Sequence, residues 1–347
     1  MTRTPSCIIR ATAPLRINDI GGWTDTWFSG EGKVLNLAVH PPVEVEIKAF
    51  PNKRKRRKRV FVKALDYGES FWMDPDDPDY TIHPYLQGAV NSLPIPKRYE
   101  LTASVSAGIP AGSSVGTSAA VCVALIGAIA ALSPQTRSLD EIASLAHRVE
   151  TEKLELQSGI QDQICAAYGG ICFIHMLNYP EAKVKRLLLP GKLRDELNQR
   201  LSLVFLGKAH RSSEIHEDVI STLEKGGSQF EEIITMRNLA EKARDCLQKG
   251  DLTGYGRVMV HNNECQRALH SGLVSDEADR VIAIAKKYNA AGWKVNGAGG
   301  KGGSITVLAS RTLHDRENML GEIDGLGSGI KSLRFSLSPS GLTVLTR

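Results

Sequence analysis

The sequence predicts an α+β fold in two domains, on three observations. Short segments rich in Val, Ile and Leu occur beside helical runs in both halves of the chain, as in mixed folds. The chain has 347 residues, which is longer than a single hydrophobic core usually grows. Proline, glycine and charged residues concentrate around Leu188–Lys192. We therefore place the domain boundary there and predict domains of residues 1–192 and 193–347.

The first domain combines several predicted strands with three helices. The strands are short, apolar and bounded by turn residues, and they are predicted at 8–17, 35–39, 43–49, 60–64, 101–106 and 171–175. Helices are predicted at 117–132, at 140–156 and within Gly159–Gly170. The second helix follows Ser138 and places Ile142, Ala146 and Val149 on one face at helical spacing.

The second domain repeats this mixture. Strands are predicted at 202–206, 293–295, 304–308, 332–337 and 342–345. A long amphipathic helix is predicted at about Gln229–Gln248, because Gly250 is a common residue just after a helix end. A further helix is predicted at Asp276–Asn289, where acidic residues in the first turn complement the helix dipole.

Composition excludes several classes of protein. Apolar residues make up 42% and charged residues 23%, which is ordinary for a globular protein. No run of about 18 apolar residues is present, so we expect no membrane span, and the first residues lack the apolar segment of a signal peptide. The six cysteines form no C-x-x-C pair, which favours reduced thiols over a disulfide or zinc framework. We therefore expect a cytoplasmic protein, with a homodimer left open.

One basic run stands apart from the rest of the sequence. Lys53–Arg59 consists of seven consecutive basic residues between the alternating segments 43–47 and 60–64. The simplest interpretation is a solvated hairpin tip. Nucleic-acid binding would favour interleaved aromatic residues, and none is present, so we expect no nucleic-acid partner. An electropositive rim that attracts a phosphorylated substrate is a third interpretation.

A loop of small residues leads into the predicted helix at 117–132. The stretch Ile109-Pro-Ala-Gly-Ser-Ser-Val-Gly-Thr-Ser-Ala-Ala120 follows a strand, and Gly112 and Gly116 allow its backbone to curl tightly. The unpaired N–H groups at the start of the helix favour an anion. The predicted phosphate-binding residues are Pro110, Gly112, Ser113, Ser114, Val115, Gly116, Thr117 and Ser118. The loop is neither a Walker A sequence nor a dinucleotide fingerprint, so on its own it fits a capped helix equally well.

Two other segments carry unusual residues. Ala13-Pro-Leu-Arg-Ile-Asn-Asp-Ile-Gly-Gly-Trp-Thr-Asp-Thr26 places a strand before two glycines and a turn. Asn296-Gly-Ala-Gly-Gly-Lys-Gly-Gly-Ser304 lies between two predicted strands. With the phosphate loop, these segments resemble the three signature motifs of the GHMP small-molecule kinases, in the same order. The resemblance implies an N-terminal domain like ribosomal protein S5 domain 2, a ferredoxin-like C-terminal domain, and ATP in the cleft between them.

Two branches of that family resemble this sequence most. Gly21-Gly-Trp-Thr-Asp-Thr26 resembles the L-fucose kinase branch, whereas the phosphate loop and Gly207-Lys-Ala-His-Arg-Ser-Ser-Glu214 resemble the heptose-7-phosphate kinases. Both branches phosphorylate an anomeric hydroxyl. The resemblance therefore implies an ATP-dependent kinase that acts on the C1 hydroxyl of a sugar or sugar phosphate. Ser114 departs from the pattern, because many relatives have glycine there.

The resemblance also implies roles for individual residues. Asp162 matches the family's catalytic base and Arg16 its basic partner, although Asp162 could also be a helix N-cap. Glu150 and Ser118 match the ligands of Mg²⁺, which prefers hard oxygen donors, and Thr117 is the alternative hydroxyl. Glu150 could instead be a solvated surface charge.

Further residues are assigned to the sugar. Asp25 resembles the carboxylate that accepts hydrogen bonds from sugar hydroxyls. Trp23 either stacks on a sugar face or fills core space. The remaining candidates for substrate binding are Gly22, Arg211, Gly299 and Gly300.

Two other functions are compatible with the same family motifs. A kinase of another small alcohol, of the mevalonate or phosphomevalonate type, has little use for a carboxylate at Asp25. A catalytically silent ligand sensor on the same fold would be free to lose Asp162, Glu150 and Arg16, all of which are present.

Overall fold

Two β-sheets and the helices that pack on them organise the chain. The computed structural model describes residues 4–209, 213–225 and 229–347. The strands are β1 Cys7–Ile20, β2 Gly32–Pro51, β3 Val60–Ala64, β4 Glu69–Met73, β5 Tyr99–Ala107, β6 Ile171–Asn178, β7 Glu181–Leu187, β8 Leu201–Leu206, β9 Gly292–Val295, β10 Ser304–Leu308, β11 Ile330–Leu333, β12 Ser336–Leu337 and β13 Thr343–Thr346. The α-helices are α1 Pro84–Val90, α2 Thr117–Ala130, α3 Leu139–Arg148, α4 Gln161–Tyr168, α5 Gly191–Arg200, α6 Ser213–Glu224, α7 Phe230–Lys249, α8 Leu252–Leu269, α9 Asp276–Lys287 and α10 Leu313–Asp324. The predicted α+β class is confirmed.

The larger sheet is built around the long strand β2. Its strand order is β13-β1-β2-β5-β3-β4, with β6 and β12 also paired to β2 and β7 paired to β6. The two strands predicted at 35–39 and 43–49 are therefore one strand. Pro41 and Pro42 do not interrupt it, because they lie where the register between β1 and β2 shifts, and no ladder donor is needed from them there.

The smaller sheet forms the second half of the fold. Its order is β11-β8-β10-β9, and every neighbouring pair is antiparallel. Helices connect β8 to β9 and β10 to β11, while β9 and β10 follow each other directly. This is the β-α-β-β-α-β arrangement of a ferredoxin-like domain, which the resemblance implied.

The end of the chain returns to the larger sheet. The single strand predicted at 332–337 is wrong, since β11 belongs to the smaller sheet and β12 pairs with β2 in the larger one. Strand β13 then pairs with β1. Residues 336–347 thus contribute strands to the sheet of the first half, whereas the boundary at residue 192 stays a prediction.

Helix α2 lies at the centre of the first half. Its residues from Ala119 to Ile129 are almost all buried, against the larger sheet and helices α1, α3 and α4. A helix that is apolar on all sides is expected in such a core. Only its first turn reaches the surface of a cleft, where the predicted phosphate loop ends. None of the helices in the described ranges is long and apolar enough to cross a membrane.

The helix predicted at 140–156 is shorter than expected. Helix α3 starts at a capping box formed by Ser138 and Glu141, but from Val149 to Lys153 the backbone widens into a π-helical turn. Such turns are frequent at functional sites, because the extra residue rotates side chains out of the regular helical register. Glu150 lies in this turn and is 7% exposed.

The basic run does not form a hairpin tip. Strand β5 lies between β2 and β3, which is parallel to β5, so Lys53–Arg59 belongs to a loop that crosses from one strand to a non-adjacent one. Two of its arginines are paired: Arg57 with Asp74, and the buried Arg59 with Asp76. None of the described residues that line the cleft below belongs to this run.

Two helical glycines provide a test of the packing between α8 and β9. A β-carbon at Gly256 would lie 2.2 Å from the carbonyl oxygen of Ala291, whereas one at Gly321 in α10 would meet no described atom within 4 Å apart from its chain neighbours and its own helix backbone. We expect Gly256→Ala to lower the free energy of unfolding by roughly 1–3 kcal/mol through overpacking. The control Gly321→Ala should raise it by about 0.5 kcal/mol, because alanine favours the helix. Urea denaturation of both variants measures the difference, and equal effects would contradict the packing.

Candidate active site

A cleft of about 690 Å³ opens at the first turn of α2. The residues that line the cleft include members of five segments. These are the first motif (13–26), the phosphate loop, the π-helical turn, the start of α4 and the third motif (296–304). Among the predicted site residues, those lining the cleft are Arg16, Trp23, Asp25, Gly112, Ser113, Ser114, Val115, Gly116, Thr117, Ser118, Glu150 and Asp162. The convergence of these segments, which are far apart in the sequence, identifies the cleft as the candidate active site.

Arg16 and Asp162 form a two-point ion pair at the base of the cleft. The Arg16 Nε donates to Asp162 Oδ1 at 2.7 Å, and Nη2 donates to Oδ2 at 2.9 Å. Burial disfavours the charge of Arg16, but the carboxylates of Asp162 and Asp19 outweigh it and raise the pKa of the guanidinium. Asp162 is therefore held in a fixed orientation beside a permanent cation, as a base that must remain ionised requires.

The phosphate loop rests directly on this pair. Gly116 has a φ of +71°, and a β-carbon there would lie 3.2 Å from Arg16 Cγ and 3.2 Å from Asp162 Oδ2. Arg16 Nη1 also donates to the carbonyl oxygen of Ser114, which adopts a φ of +57°. Serine thus occupies a backbone conformation that glycine prefers. The loop keeps its curl although Ser114 departs from the family pattern.

The first turn of α2 presents unpaired N–H groups to the cleft. The helix begins after Gly116, and no side chain caps it. The residues whose N–H groups lack a partner within the helix, Thr117, Ser118 and Ala119, all line the cleft. Helix dipole and free donors together favour a phosphate at this point.

The third motif, next to the smaller sheet, contacts the phosphate loop. Ser304 Oγ donates to the carbonyl oxygen of Ser113 at 2.5 Å and accepts from Asn296 Nδ2 at 3.0 Å. A β-carbon at Gly297 would lie 3.3 Å from Arg16 Nη2 and 3.3 Å from the Ser114 carbonyl. The phosphate loop is therefore clamped between the two sheets.

Tyr85 lies close to both Ser118 and Glu150. The Tyr85 hydroxyl hydrogen-bonds Ser118 and lies within the field of the Glu150 carboxylate. Burial raises the pKa of Glu150 to about 7, with the Asp162 charge adding to the effect and a hydrogen bond from Ser158 opposing it. A carboxylate kept in such surroundings is typical of a functional site. Within the described ranges no three His, Cys, Asp or Glu side chains form a metal-binding group, so a cation here would depend on further oxygen ligands.

Asp25 lies deeper in the cleft, beside the start of α4. It is 3% exposed, and Oδ2 accepts from the backbone N–H of Gln161 at 3.0 Å. Burial raises the pKa of Asp25 to about 6; the Gln161 hydrogen bond opposes this and the Asp162 charge adds to it. Gly159 leaves room for this carboxylate, since a β-carbon there would lie 2.1 Å from Asp25 Oδ2.

Comparison with known families identifies this arrangement. The family profile of the GHMP kinase N-terminal domain matches residues 85–170, which contain the phosphate loop, Glu150 and Asp162. Residues 85–170 are therefore similar to a GHMP kinase N-terminal domain, and the chain has the GHMP kinase fold. A solved D-glycero-D-manno-heptose 1-phosphate kinase from Bacteroides thetaiotaomicron has the same fold, with a TM-score of 0.74 at 20% identity, covering 97% of this chain and 98% of that one.

The relatives of this chain are named as kinases. The bifunctional fucokinase/GDP-fucose pyrophosphorylase of Arabidopsis thaliana is 26% identical over 313 residues, or 85% of this chain and 29% of that protein. The D-glycero-alpha-D-manno-heptose 7-phosphate kinase of Campylobacter jejuni is 24% identical over 298 residues, or 85% and 87%. The mevalonate kinase of Thermococcus onnurineus is 31% identical over 214 residues, or 60% of each. The chain thus spans less than two thirds of the first and third relatives.

Some predicted site residues do not line the cleft. Gly299 and Gly300 pack against Leu273, whose carbonyl oxygen accepts from Gly300 N at 2.9 Å, and Gly297 and Ala298 line the cleft instead. Pro110 and Gly22 also lie outside the lining. Arg211 lies outside the described residues. The third motif therefore contributes its first glycine rather than its later ones.

Trp23 fills core space at the wall of the cleft, and its stacking on a sugar face stays a prediction. It is 6% exposed within the large hydrophobic core, and it also lines the cleft. Its φ is +74°, an uncommon conformation for a bulky residue. Backbone conformations of this kind are found mainly at functional sites.

Several residues of the site were not foreseen from the sequence. Tyr179, in the turn between β6 and β7, donates to the carbonyl oxygen of Ser158 at 2.8 Å, and Ser158 Oγ donates to Glu150. On the outer side, Glu217 and Ile220 of α6 line the cleft. Tyr179, Glu217 and Ile220 belong to no recognisable motif, so only the folded chain reveals them. Ser158 lies in the segment that contains Asp162, but no role was predicted for it.

The raised pKa of Asp25 predicts a specific stability change. The pKa of this carboxyl is about 6 in the folded protein, against an ordinary value near 4, so the ionised form destabilises the fold above pH 6 by roughly 3 kcal/mol. This penalty disappears as the pH falls from 6 to 4, because only the folded protein takes up the proton there. We expect Asp25→Asn to be more stable than the wild type at pH 8 and to lose that advantage toward pH 4.

Denaturant unfolding at pH 8, 6 and 4 measures the effect. The exposed Asp195 provides the control. The difference in unfolding free energy between Asp195→Asn and the wild type should be the same at each pH. An Asp25→Asn advantage that did not change with pH would contradict the assignment.

Proposed function

We propose that this chain is an ATP- and Mg²⁺-dependent sugar kinase of the GHMP family. It would phosphorylate the anomeric C1 hydroxyl of a sugar or sugar phosphate, such as D-glycero-D-manno-heptose 7-phosphate or L-fucose. One observation carries the proposal. The Arg16–Asp162 pair lies against Gly116 at the uncapped start of α2, in the same cleft as the Asp25 carboxylate. A cytoplasmic location and a homodimer stay predictions.

The arrangement supports direct phosphoryl transfer. The N–H groups of the first α2 turn would bind the terminal phosphates of ATP, with the γ-phosphorus facing Asp162. Asp162 would accept the proton of the anomeric hydroxyl as its oxygen bonds to the γ-phosphorus and the bond to the bridging oxygen of ADP breaks. Arg16 would hold Asp162 in position and offset charge on the transferring group. The products are ADP and the sugar 1-phosphate.

The residues at the outer edge of the α2 turn fit a magnesium ion. Ser118 and Glu150 both line the cleft near Tyr85 and offer a hydroxyl and a carboxylate, which are hard oxygen donors. Bound Mg²⁺ would neutralise phosphate charge in the transition state. Glu150 would be ionised when it acts as a ligand, because the cation lowers the pKa that burial has raised.

The sugar assignment rests on Asp25 and on two of the relatives. A buried carboxylate with free lone pairs suits a vicinal diol. The relatives from Arabidopsis thaliana and Campylobacter jejuni are named as a fucokinase and a heptose 7-phosphate kinase, and they align over 85% of this chain. Both names support a sugar acceptor.

A second candidate is the phosphorylation of another small alcohol, such as mevalonate. The mevalonate kinase of Thermococcus onnurineus supports it with a higher identity, over a shorter stretch. Against it, Asp25 and Asp19 both line the cleft, and two carboxylates disfavour an acceptor that is itself a carboxylate.

A screen of acceptors separates these proposals. ATP consumption would be measured with L-fucose, L-arabinose, D-galactose, mannoheptose, mannoheptose 7-phosphate and mevalonate, and phosphorus NMR would locate the new ester. We expect turnover with at least one sugar and an ester at C1. Turnover with mevalonate alone would favour the second candidate. No turnover with any acceptor would favour a sensor on this fold.

A further inference from the structure

Asp19 has two carboxylate oxygens in different surroundings. The residue lies near the end of β1 and is 1% exposed. Its Oδ1 accepts from Lys294 Nζ at 3.1 Å and from the backbone N–H of Gly297 at 3.0 Å. Its Oδ2 has no hydrogen-bond partner in the part of the chain that the structure describes. One oxygen is therefore anchored, and the other is left as an acceptor.

The unpartnered oxygen lies beside Gly22, in the segment of the chain that leads to Asp25. A β-carbon at Gly22 would lie 2.6 Å from Asp19 Oδ2 and 3.4 Å from Gln161 Nε2. Gln161 Nε2 in turn donates to Asp25 Oδ1 at 3.4 Å. Asp19, Asp25 and Gln161 all line the cleft, and the lack of a side chain at Gly22 leaves room beside Asp19 Oδ2.

An unpaired carboxylate oxygen in such a place needs a donor. Leaving a buried acceptor without a hydrogen bond is unfavourable, and more so for a charged group. Buried polar groups in native proteins are therefore almost always bonded, to protein, water or ligand. Lys294 is also 1% exposed and balances the charge of Asp19. Of the two Asp19 oxygens, Lys294 donates a hydrogen bond only to Oδ1. The pairing with Lys294 therefore satisfies Oδ1 of Asp19 and leaves Oδ2 available as a hydrogen-bond acceptor.

We propose that Asp19 is a second hydroxyl-binding carboxylate of the substrate site. Asp19 Oδ2 and Asp25 accept hydrogen bonds from two different hydroxyls of the acceptor. The inner end of the cleft then holds an uncharged, polyhydroxylated part of the sugar, since two carboxylates repel a phosphate there. Any phosphate that the substrate already carries lies toward the outer side. This inference rests on the proposed sugar kinase function and specifies how the sugar is oriented.

Two other roles for Asp19 make different predictions. In the first, the carboxylate serves only to anchor Lys294 and Gly297. In the second, a permanent water satisfies Oδ2. Either role leaves the contribution of each sugar hydroxyl unchanged when Asp19 is replaced.

Monodeoxy analogues of the acceptor test the proposal. The best sugar from the screen, and its analogues that each lack one hydroxyl other than C1, would be compared by kcat/KM in the wild type. We expect two hydroxyls whose removal lowers kcat/KM by about 10- to 100-fold, as for hydrogen bonds to a charged group. In Asp25→Asn one of these losses should shrink. In Asp19→Asn the other should shrink, while the KM for ATP stays close to that of the wild type.

A second variant covers a failure of Asp19→Asn to fold. Removing one partner of a buried ion pair leaves an uncompensated charge, so Asp19→Asn/Lys294→Gln, which removes both charges, would be measured in the same way. Fewer than two sensitive hydroxyls in the wild type would overturn the proposal, as would an unchanged loss at both hydroxyls in an Asp19 variant. A failure of the sugar kinase function itself appears earlier, as the absence of turnover with every sugar.

Discussion

Asp162→Asn should lower kcat by at least about 100-fold, because the amide cannot accept the proton of the attacking hydroxyl. The substitution keeps the shape of the side chain and one oxygen for Arg16. ATP binding should change little, since the phosphate contacts proposed here come from the first α2 turn. Steady-state kinetics with the preferred sugar, together with ATP titration by calorimetry, measures both quantities.

The chain contains a matched control for this variant. Asp279 forms a similar two-point pair with Arg267, at 2.6 and 3.0 Å, between α8 and α9. It does not line the cleft. Asp279→Asn should therefore leave kcat close to the wild-type value. Near-normal turnover of Asp162→Asn would remove Asp162 from its proposed role.

Glu150→Gln should raise the Mg²⁺ concentration needed for half-maximal activity by about tenfold or more, because a neutral amide is a weaker ligand than a carboxylate. Turnover at saturating Mg²⁺ should recover in part. The measurement is a Mg²⁺ titration of the rate at fixed ATP and sugar.

Glu152 is the natural control for Glu150. It lies two residues further along the same π-helical turn, but it points to solvent and pairs with Arg148 at 2.8 Å. Glu152→Gln should titrate like the wild type. Identical Mg²⁺ titrations for the Glu150 and Glu152 variants would refute the ligand assignment.

Much of the fold was predictable because its elements carry local signals. Helix α2 follows a glycine-rich loop and is apolar throughout, and α9 has acidic residues in its first turn and lysines in its last. Helix α8 was missed for a physical reason. Its first turns contain Gly254 and Gly256, which weaken a helical pattern, yet Gly256 packs directly against the backbone of Ala291. A sequence does not show such a tertiary contact.

Other elements were missed because a local pattern suggested something else. Helix α5 begins where proline and glycine suggested only a domain junction. Strand β2 was divided at Pro41 and Pro42, which a central strand normally excludes. Strands β4 and β7 and helices α1 and α10 are short or weakly patterned, and they are stabilised by their neighbours in the fold.

The candidate site was predictable where a motif fixes the chemistry. The three motifs indicated Arg16, Asp25 and the phosphate loop, and the structure places all of them in one cleft. Asp19 was not singled out, because its strand also contains Arg10, Arg16 and Asn18, and nothing in the sequence sets Asp19 apart from them. Its meaning depends on Lys294, which lies 275 residues away in the sequence. Only the folded chain shows that one of its oxygens is paired and the other is not.

A crystal structure with Mg²⁺, a non-hydrolysable ATP analogue and the preferred sugar is the most direct test of the proposed function. We predict that the γ-phosphate lies at the N–H groups of Thr117 to Ala119. We also predict that Asp162 lies within hydrogen-bond distance of the C1 hydroxyl and that Asp25 is hydrogen-bonded to another hydroxyl. A nucleotide whose terminal phosphate lies away from the α2 turn, or a sugar whose C1 hydroxyl faces away from Asp162, would contradict it.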